Sequence, residues 1–149
     1  TEYGAVRTNG VGPGYPLSGE KLSRILALYR VEDFDAAVET TRAIQLHQGA
    51  GHSVGLHSSD DERPMILAQA VPTGRVIVNQ AHAFATGGSF TNGMPLSLSM
   101  GCGSWGGNAT HENLHWRHFL QSTKIVREIP PHEPNLEDIF SDYWDEVGK

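Results

Sequence analysis

The chain has 149 residues, 17 glycines and a formal charge of −6 at pH 7, a length that suits one domain with a sizeable core. The acidic balance argues against a general role in binding nucleic acid or membrane surfaces, because such roles need clustered Lys and Arg. No apolar run approaches the ~20 residues of a membrane span, and no secretory leader opens the sequence.

The N-terminal part of the sequence predicts an irregular segment, a strand and a helix. Residues 1–24 are rich in Gly, Pro and Ser and predict irregular structure. The mostly apolar run 25–31 predicts a strand that is covered on both faces. Asp33 is a favourable N-cap for a helix over 34–48, and Gly49 is expected to end that helix.

Two further strands and a helix follow at short intervals. We expect strands over 53–57 and 75–79, with a helix over 61–71 between them, capped by Asp60 or Asp61. Alternation of strands and helices with short loops is typical of an α/β fold with a parallel sheet. Ligands of such sheets bind at the carboxyl ends of the strands.

A long glycine-rich loop over 80–113 follows the third predicted strand. Loops of this length are functional or disordered, and the aromatic and apolar side chains in this one favour order. Beyond it, we expect a short helix over 114–121, an edge or interface strand over 124–129 and an amphipathic helix over 135–147.

The segment from His111 to His115 matches the H-E-x-x-H pattern of zinc hydrolases. On a helix, His111 and His115 would share a face and bind Zn²⁺, with Glu112 as the general base and His118 as a third ligand. A chance match is uncommon but not rare in a chain with 8 histidines, and the preceding glycines are a poor start for a helix. We therefore predict no metal site and keep a zinc hydrolase as a rival hypothesis.

The block 101–108 contains the only cysteine of the chain, Cys102. One cysteine excludes an internal disulfide and favours a cytoplasmic location. A nucleophilic thiol needs a neighbour that stabilises the thiolate, and the sequence fixes none. The block also lacks the Lys-Ser/Thr of a phosphate-binding loop. We favour the interpretation that its glycines let the backbone pass close to another segment.

Several stretches, taken in order, resemble the CoA-acylating aldehyde dehydrogenases. The resemblance covers residues 12–129, and the block Leu-Ser-Met-Gly-Cys-Gly-Ser-Trp-Gly-Gly-Asn over 98–108 is its most specific part. Residues 90–100 look most like the acylating sulfoacetaldehyde dehydrogenase group. The stretches that carry the resemblance are 18–23, 25–30, 33–37, 51–53, 75–79, 99–108 and 112–113.

The resemblance implies a small aldehyde as substrate, NAD or NADP as cofactor and coenzyme A as co-substrate. In this family, a cysteine thiolate adds to the aldehyde, and the thiohemiacetal gives hydride to the nicotinamide. The thiol of coenzyme A then releases the acyl group. The implied fold is part of a three-layer catalytic domain with a parallel sheet.

The family nucleophile lies upstream of the region that this chain resembles. Cys102 occupies a different family position, so we expect no catalytic residue in this chain. The sequence begins at Thr1 rather than Met. These observations predict a fragment, the C-terminal part of the enzyme, that is inactive alone.

The resemblance also assigns binding residues. Glu20 matches the glutamate that accepts hydrogen bonds from the nicotinamide ribose, and Leu22 falls where a bulky side chain contacts the nicotinamide. Without the resemblance, Glu20 would be interpreted as a plain surface acid.

The stretch 79–84 matches the wall of the substrate tunnel. Asn79, His82 and Phe84 are therefore candidate substrate contacts, although His82 fits equally well as a loop histidine bonded to backbone. His82, Thr86 and Ser89 could together meet an anionic tail of the aldehyde.

The domain prediction is a partial catalytic domain over 1–122 and an oligomerisation strand with a final helix over 123–149. The strand over 124–129 matches the one that pairs with a neighbouring subunit in aldehyde dehydrogenases, which implies a homo-oligomer. The alternative function is a non-catalytic oligomerisation or binding module that uses the same strand.

Overall fold

The computed structural model describes residues 3–148, in two compact units. The first unit ends at Phe119 and the second begins at Leu120, three residues before the boundary that the sequence predicted. In the part of the chain that is described, no helix combines the length and the apolar character needed to span a bilayer.

Two parallel pairs of strands form the sheet structure of the first unit. Strand β1 (Gly4–Arg7) pairs with β2 (Ile25–Leu28), and β3 (Val54–Leu56) pairs with β4 (Val76–Val78). The α/β architecture with parallel strands is confirmed, but within residues 3–148 the strands form two two-stranded sheets rather than one continuous sheet.

The first strand pair corrects two predictions. Residues 1–24 were expected to be irregular, yet β1 lies within them, together with the 3-10 turn Pro16–Ser18. Strand β2 ends at Leu28 instead of continuing to residue 31. Both corrections have one cause, since the length of each strand is set by its four-residue pairing with the other.

Helix α1 spans Phe34–His47, as the capping chemistry predicted. The Asp33 carboxylate accepts a hydrogen bond from the Ala36 N–H at 2.8 Å, which satisfies one of the free donors of the first turn. The last helical residue is His47, and the N–H of the C-cap residue Gln48 donates to the Ile44 carbonyl.

Helix α2 spans Arg63–Ala70 and begins later than the sequence suggested. Its N-cap is Glu62, without a side-chain capping bond, so the assignment of Asp60 or Asp61 as the cap was wrong. Pro64 accounts for the shift, because proline is tolerated only in the first helical turn. Asp60 instead accepts a hydrogen bond from the Glu62 N–H at 3.0 Å.

The core of the first unit lies between the two helices and the second strand pair. Val38 of α1, Leu67 of α2 and Val71 form its buried centre. Partly buried side chains pack around this centre: Phe34, Val54, Leu56, Ala70 and Val76. This packing fixes β4, whose carboxyl end leads into the functional segment.

After β4 the chain is mostly irregular, as predicted, with short ordered pieces. Helix α3 (His82–Ala85) follows at once, and two 3-10 helices occupy Ser104–Gly106 and Trp116–Phe119. The latter is all that forms of the helix expected over 114–121. An isolated antiparallel bridge joins Met100 to Asn113.

The second unit contains helix α4, Leu136–Val147. The Asn135 side chain caps it by accepting the Glu137 N–H at 3.1 Å, in agreement with the predicted helix. The expected strand over 124–129 is not formed in the single chain. A strand of this kind requires a pairing partner, so its proposed role at a subunit interface stays a prediction.

Candidate functional site

Asn79 lies at the carboxyl end of β4, where the sequence placed a substrate contact. Its backbone has a positive φ of 52°, and its N–H donates to the Leu56 carbonyl. The side-chain amide makes two hydrogen bonds to the Ser58 backbone, accepting the N–H at 3.0 Å and donating to the carbonyl at 2.8 Å. Asn79 thus extends the pairing of β3 with β4 beyond the strands and fixes the direction in which the chain enters α3.

His82, the first residue of α3, is held against β3. Its Nε2 lies 2.8 Å from the Ser53 hydroxyl oxygen. The ring also lies so close to the Gly55 backbone that a Cβ at residue 55 would come within 2.7 Å of Nδ1. Burial, with a smaller contribution from His52, lowers the pKa of His82. The result is a neutral imidazole in a fixed orientation, which can donate or accept a hydrogen bond.

Helix α3 and the residues that follow it carry the other candidate substrate contacts. Phe84 is 81% exposed and lines a cavity of about 490 Å³ with Leu96 and Leu98. The Thr86 hydroxyl is buried and donates to the His82 carbonyl at 3.1 Å, whereas the Ser89 hydroxyl lies 3.1 Å from that of Thr91. The segment therefore exposes the Phe84 ring to solvent, whereas the Thr86 hydroxyl is occupied by its hydrogen bond to the first residue of α3.

Glu20 and Leu22 lie on a separate loop that is fastened to the end of α1. The Gln48 side chain accepts the Glu20 N–H at 2.6 Å, and the Lys21 ammonium donates to the Leu17 carbonyl. Leu22 adopts a positive φ of 35° and is 91% exposed. An exposed carboxylate and an exposed apolar side chain therefore lie two residues apart on this loop.

The sequence did not single out the buried guanidinium of Arg75. It donates hydrogen bonds to four acceptors at 3.1–3.4 Å: the carbonyls of His52, Gly101 and His111, and the side-chain oxygen of Asn113. A guanidinium has five donors in a rigid fork, so this residue fixes several loops at once. The only sequence signal was a cation at the start of a mostly apolar strand.

The glycine-rich block passes close to other backbone segments, which confirms the structural interpretation of its glycines. A Cβ at Gly101 would collide with the Thr110 carbonyl, and one at Gly51 would collide with the Cys102 carbonyl. The Cys102 N–H donates to the Asn108 side chain at 2.8 Å. Cys102 thus lies in a tightly packed turn.

The H-E-x-x-H segment is not helical. Residues around Asn113 are extended, since Gly101 donates to the Glu112 carbonyl at 3.0 Å. His111 and His115 therefore do not share a helical face, and the zinc-hydrolase geometry expected for them is absent. Instead, Glu112, His115 and His118 come together, with one ligand atom from each within 4.8 Å of the others.

Comparisons with known proteins agree on one enzyme type. The chain is 55% identical over 144 residues to a sulfoacetaldehyde dehydrogenase (acylating) of Cupriavidus necator, which covers 97% of this chain and 29% of that protein. It is 36% identical over 125 residues to a succinate-semialdehyde dehydrogenase (acetylating) of Clostridium kluyveri, covering 84% of this chain and 27% of that protein. No protein-family model matches the chain.

Two solved structures with a similar fold are also aldehyde dehydrogenases by description. An acetylating aldehyde dehydrogenase of Geobacillus thermoglucosidasius superposes with a TM-score of 0.75 and 34% identity, over 86% of this chain and 29% of that one. A probable aldehyde dehydrogenase of Listeria monocytogenes gives a TM-score of 0.74 over 91% of this chain. The chain thus spans less than a third of the length of the relatives it matches.

Proposed function

The chain belongs to the family of acylating aldehyde dehydrogenases, and we propose that it forms part of an enzyme that converts a small aldehyde to its acyl-CoA with NAD or NADP. The observation that carries the proposal is the similarity to acylating enzymes over nearly the whole chain. The sulfoacetaldehyde enzyme among the relatives favours a sulfonated aldehyde as the substrate. We also propose a cytoplasmic homo-oligomer, with residues 124–129 at the subunit interface.

The exposed apolar side chains of the first unit support a larger protein around it. Leu98 is fully exposed, Phe90 is 97% exposed and Leu26 of β2 is 65% exposed. Leu98 also lines one cavity with two further exposed apolar side chains, Phe84 and Leu96, and a cluster of exposed apolar side chains marks an interface in soluble proteins. We propose that the remainder of the enzyme covers it and supplies the catalytic cysteine and the dinucleotide-binding domain, so that this chain alone is inactive.

Glu20 and Leu22 are the proposed cofactor contacts. The nicotinamide, when bound, accepts the hydride that leaves the aldehyde carbon. The exposed carboxylate of Glu20 can accept hydrogen bonds from two ribose hydroxyls, while the bare side chain of Leu22 contacts the nicotinamide ring. The Gln48 bond to the Glu20 backbone limits how far this loop moves.

His82 and Phe84 are the proposed substrate contacts. With Nε2 next to Ser53, the Nδ1 of a neutral His82 can act as a hydrogen-bond donor to a sulfonate oxygen. Phe84 supplies an apolar wall, and Asn79 contributes by fixing the backbone from which α3 begins. Coenzyme A enters as the second substrate, and its thiol accepts the acyl group.

The test is an assay of the native-length protein beside the isolated 149-residue chain. Reduction of NAD or NADP should require both sulfoacetaldehyde and coenzyme A for the native protein, and the isolated chain should show none. A native polypeptide no larger than this chain, or nicotinamide reduction that does not depend on coenzyme A, would contradict the proposal. Light scattering on the isolated chain tests the rival oligomerisation module, which a strict monomer at high concentration would exclude.

A further inference from the structure

Three potential metal ligands meet on the surface of the first unit. One carboxylate oxygen of Glu112 lies 3.2 Å from Nε2 of His118 and 3.8 Å from Nε2 of His115. Ligand atoms at Zn–N and Zn–O distances of about 2.0–2.2 Å in a tetrahedron lie roughly 3.3–3.6 Å apart. The two oxygen–nitrogen distances approach those of a tetrahedral site, and one ligand atom from each of the three residues lies within 4.8 Å of the others, so side-chain rotations would complete it.

The rings are held in an orientation that suits a metal. His118 Nδ1 lies 3.1 Å from the His115 backbone nitrogen, whose N–H points at it, and 3.2 Å from the His115 carbonyl oxygen, and the two rings pack edge to face with centroids 4.5 Å apart. In the tautomer with its proton on Nε2, Nδ1 accepts the His115 N–H. In the tautomer with its proton on Nδ1, that N–H donates to the His115 carbonyl and Nε2 keeps a lone pair for a metal. A backbone carbonyl commonly plays this role behind zinc-binding histidines, where it fixes the tautomer and the ring direction.

The cluster borders an open cavity rather than a packed interior. All three residues line a space of about 600 Å³, and their side chains are 20–54% exposed. Arg75 and Arg117 border the same cavity, but each guanidinium has other partners. Arg75 donates to four acceptors, and Arg117 lies 5.2 Å from the centre of the Trp116 ring.

We propose that Glu112, His115 and His118 bind a divalent transition-metal ion, with Zn²⁺ as the best fit, and leave a fourth position open to water in the cavity. Two imidazole nitrogens and one carboxylate oxygen suit zinc better than magnesium or calcium, which prefer oxygen ligands. This site differs from the H-E-x-x-H hypothesis for the same segment, because Glu112 is a ligand in place of His111 rather than a general base. It does not depend on the dehydrogenase function.

Isothermal titration calorimetry of the metal-stripped 149-residue chain with a zinc salt tests the proposal. We expect one saturable equivalent for the wild type and no comparable binding of Mg²⁺. Glu112→Gln, His115→Ala and His118→Ala should each weaken binding by more than the roughly 10- to 100-fold that follows when a metal ligand loses its hydrogen-bond partner. His111→Ala is the matched control, since this exposed neighbour lies outside the cluster, and it should change the affinity less than twofold.

The control separates the two possible ligand sets. Equal loss of binding in His111→Ala, unchanged binding in His118→Ala, or no saturable binding by the wild type would overturn the proposal. Far-UV circular dichroism confirms that each variant is folded. Because the three side chains are partly exposed, any one variant that fails to fold leaves the other two to decide the outcome.

Discussion

Arg75 Nε donates a hydrogen bond to the side-chain oxygen of Asn113 at 3.1 Å, and both residues are buried. They are 38 positions apart in the sequence. Asn113 in turn donates to the carbonyls of Thr86 and Pro95, both at 2.9 Å. A single amide side chain therefore connects the start of β4 to the end of α3 and to Pro95, farther along the glycine-rich loop.

Replacement of Asn113 by alanine should destabilise the first unit more than an average surface substitution. The change leaves Arg75 Nε and two carbonyls without their partner in a buried environment, which costs about 1–3 kcal/mol for a neutral group and more for a charged one. Urea unfolding of the 149-residue chain measures the loss. Asn108→Ala is the matched control, because Asn108 is exposed and bonds the Cys102 N–H. A loss in Asn113→Ala no larger than in the control would contradict this prediction.

Gly101→Ala should also destabilise the fold, through steric conflict rather than lost hydrogen bonds. An added Cβ would collide with the Thr110 carbonyl, and backbone cannot move aside as a flexible side chain can. Overpacking of this kind costs about 1–3 kcal/mol. Thermal unfolding beside Gly14→Ala provides the comparison, since a Cβ at Gly14 meets nothing within 4 Å. Equal melting temperatures for the two variants would refute the proposed close approach.

Local chemistry predicted the helices well and the strands less well. The Asp33 carboxylate caps α1 and the Asn135 amide caps α4, and both interactions depend only on residues a few positions apart. Strand β1 was missed because Gly-Ala-Val-Arg has no distinctive pattern of its own. It becomes a strand through pairing with β2, more than 20 residues away.

The candidate site shows the same division between local and long-range effects. The rival zinc hypothesis required His111, Glu112 and His115 on one helix, whereas the sequence pattern predicted a helix only over 114–121. The long-range contacts of Asn113 keep this segment extended, so no helical turn begins before Trp116. The family resemblance marked His82 and Glu20, but only the structure shows that Ser53 and Gln48 hold them in place.

The stability of the chain should fall as the pH drops below about 6.5, in part because of His82. Its pKa is lowered from the ordinary 6.5, first by burial and then by His52. The folded state therefore binds this proton more weakly than the unfolded chain, so the stabilisation is complete above 6.5 and is lost as the pH falls through the folded-state pKa.

Urea unfolding between pH 7.5 and 5 should show a smaller loss of stability in His82→Gln than in the wild type. His52→Gln removes only the second cause, so the pKa of His82 should rise part of the way towards 6.5 when it is followed by NMR of the imidazole. An unchanged pH dependence in His82→Gln would show that the proton on His82 is not linked to folding.

In the native-length enzyme, His82→Ala should raise KM for sulfoacetaldehyde far more than for acetaldehyde. A hydrogen bond to a charged group contributes about 1.5–3 kcal/mol, so its loss should raise KM for the anionic substrate roughly 10- to 100-fold. Acetaldehyde has no anionic group that could make this hydrogen bond, so its KM should change far less. Ser53→Ala should give a smaller change in the same direction, because it removes only the partner that orients the ring.

His57→Ala, at an exposed histidine outside this contact, should leave both KM values unchanged. Equal increases for the two aldehydes in His82→Ala would mean that His82 does not contact the anionic group, and would return it to the role of a histidine that only joins α3 to β3.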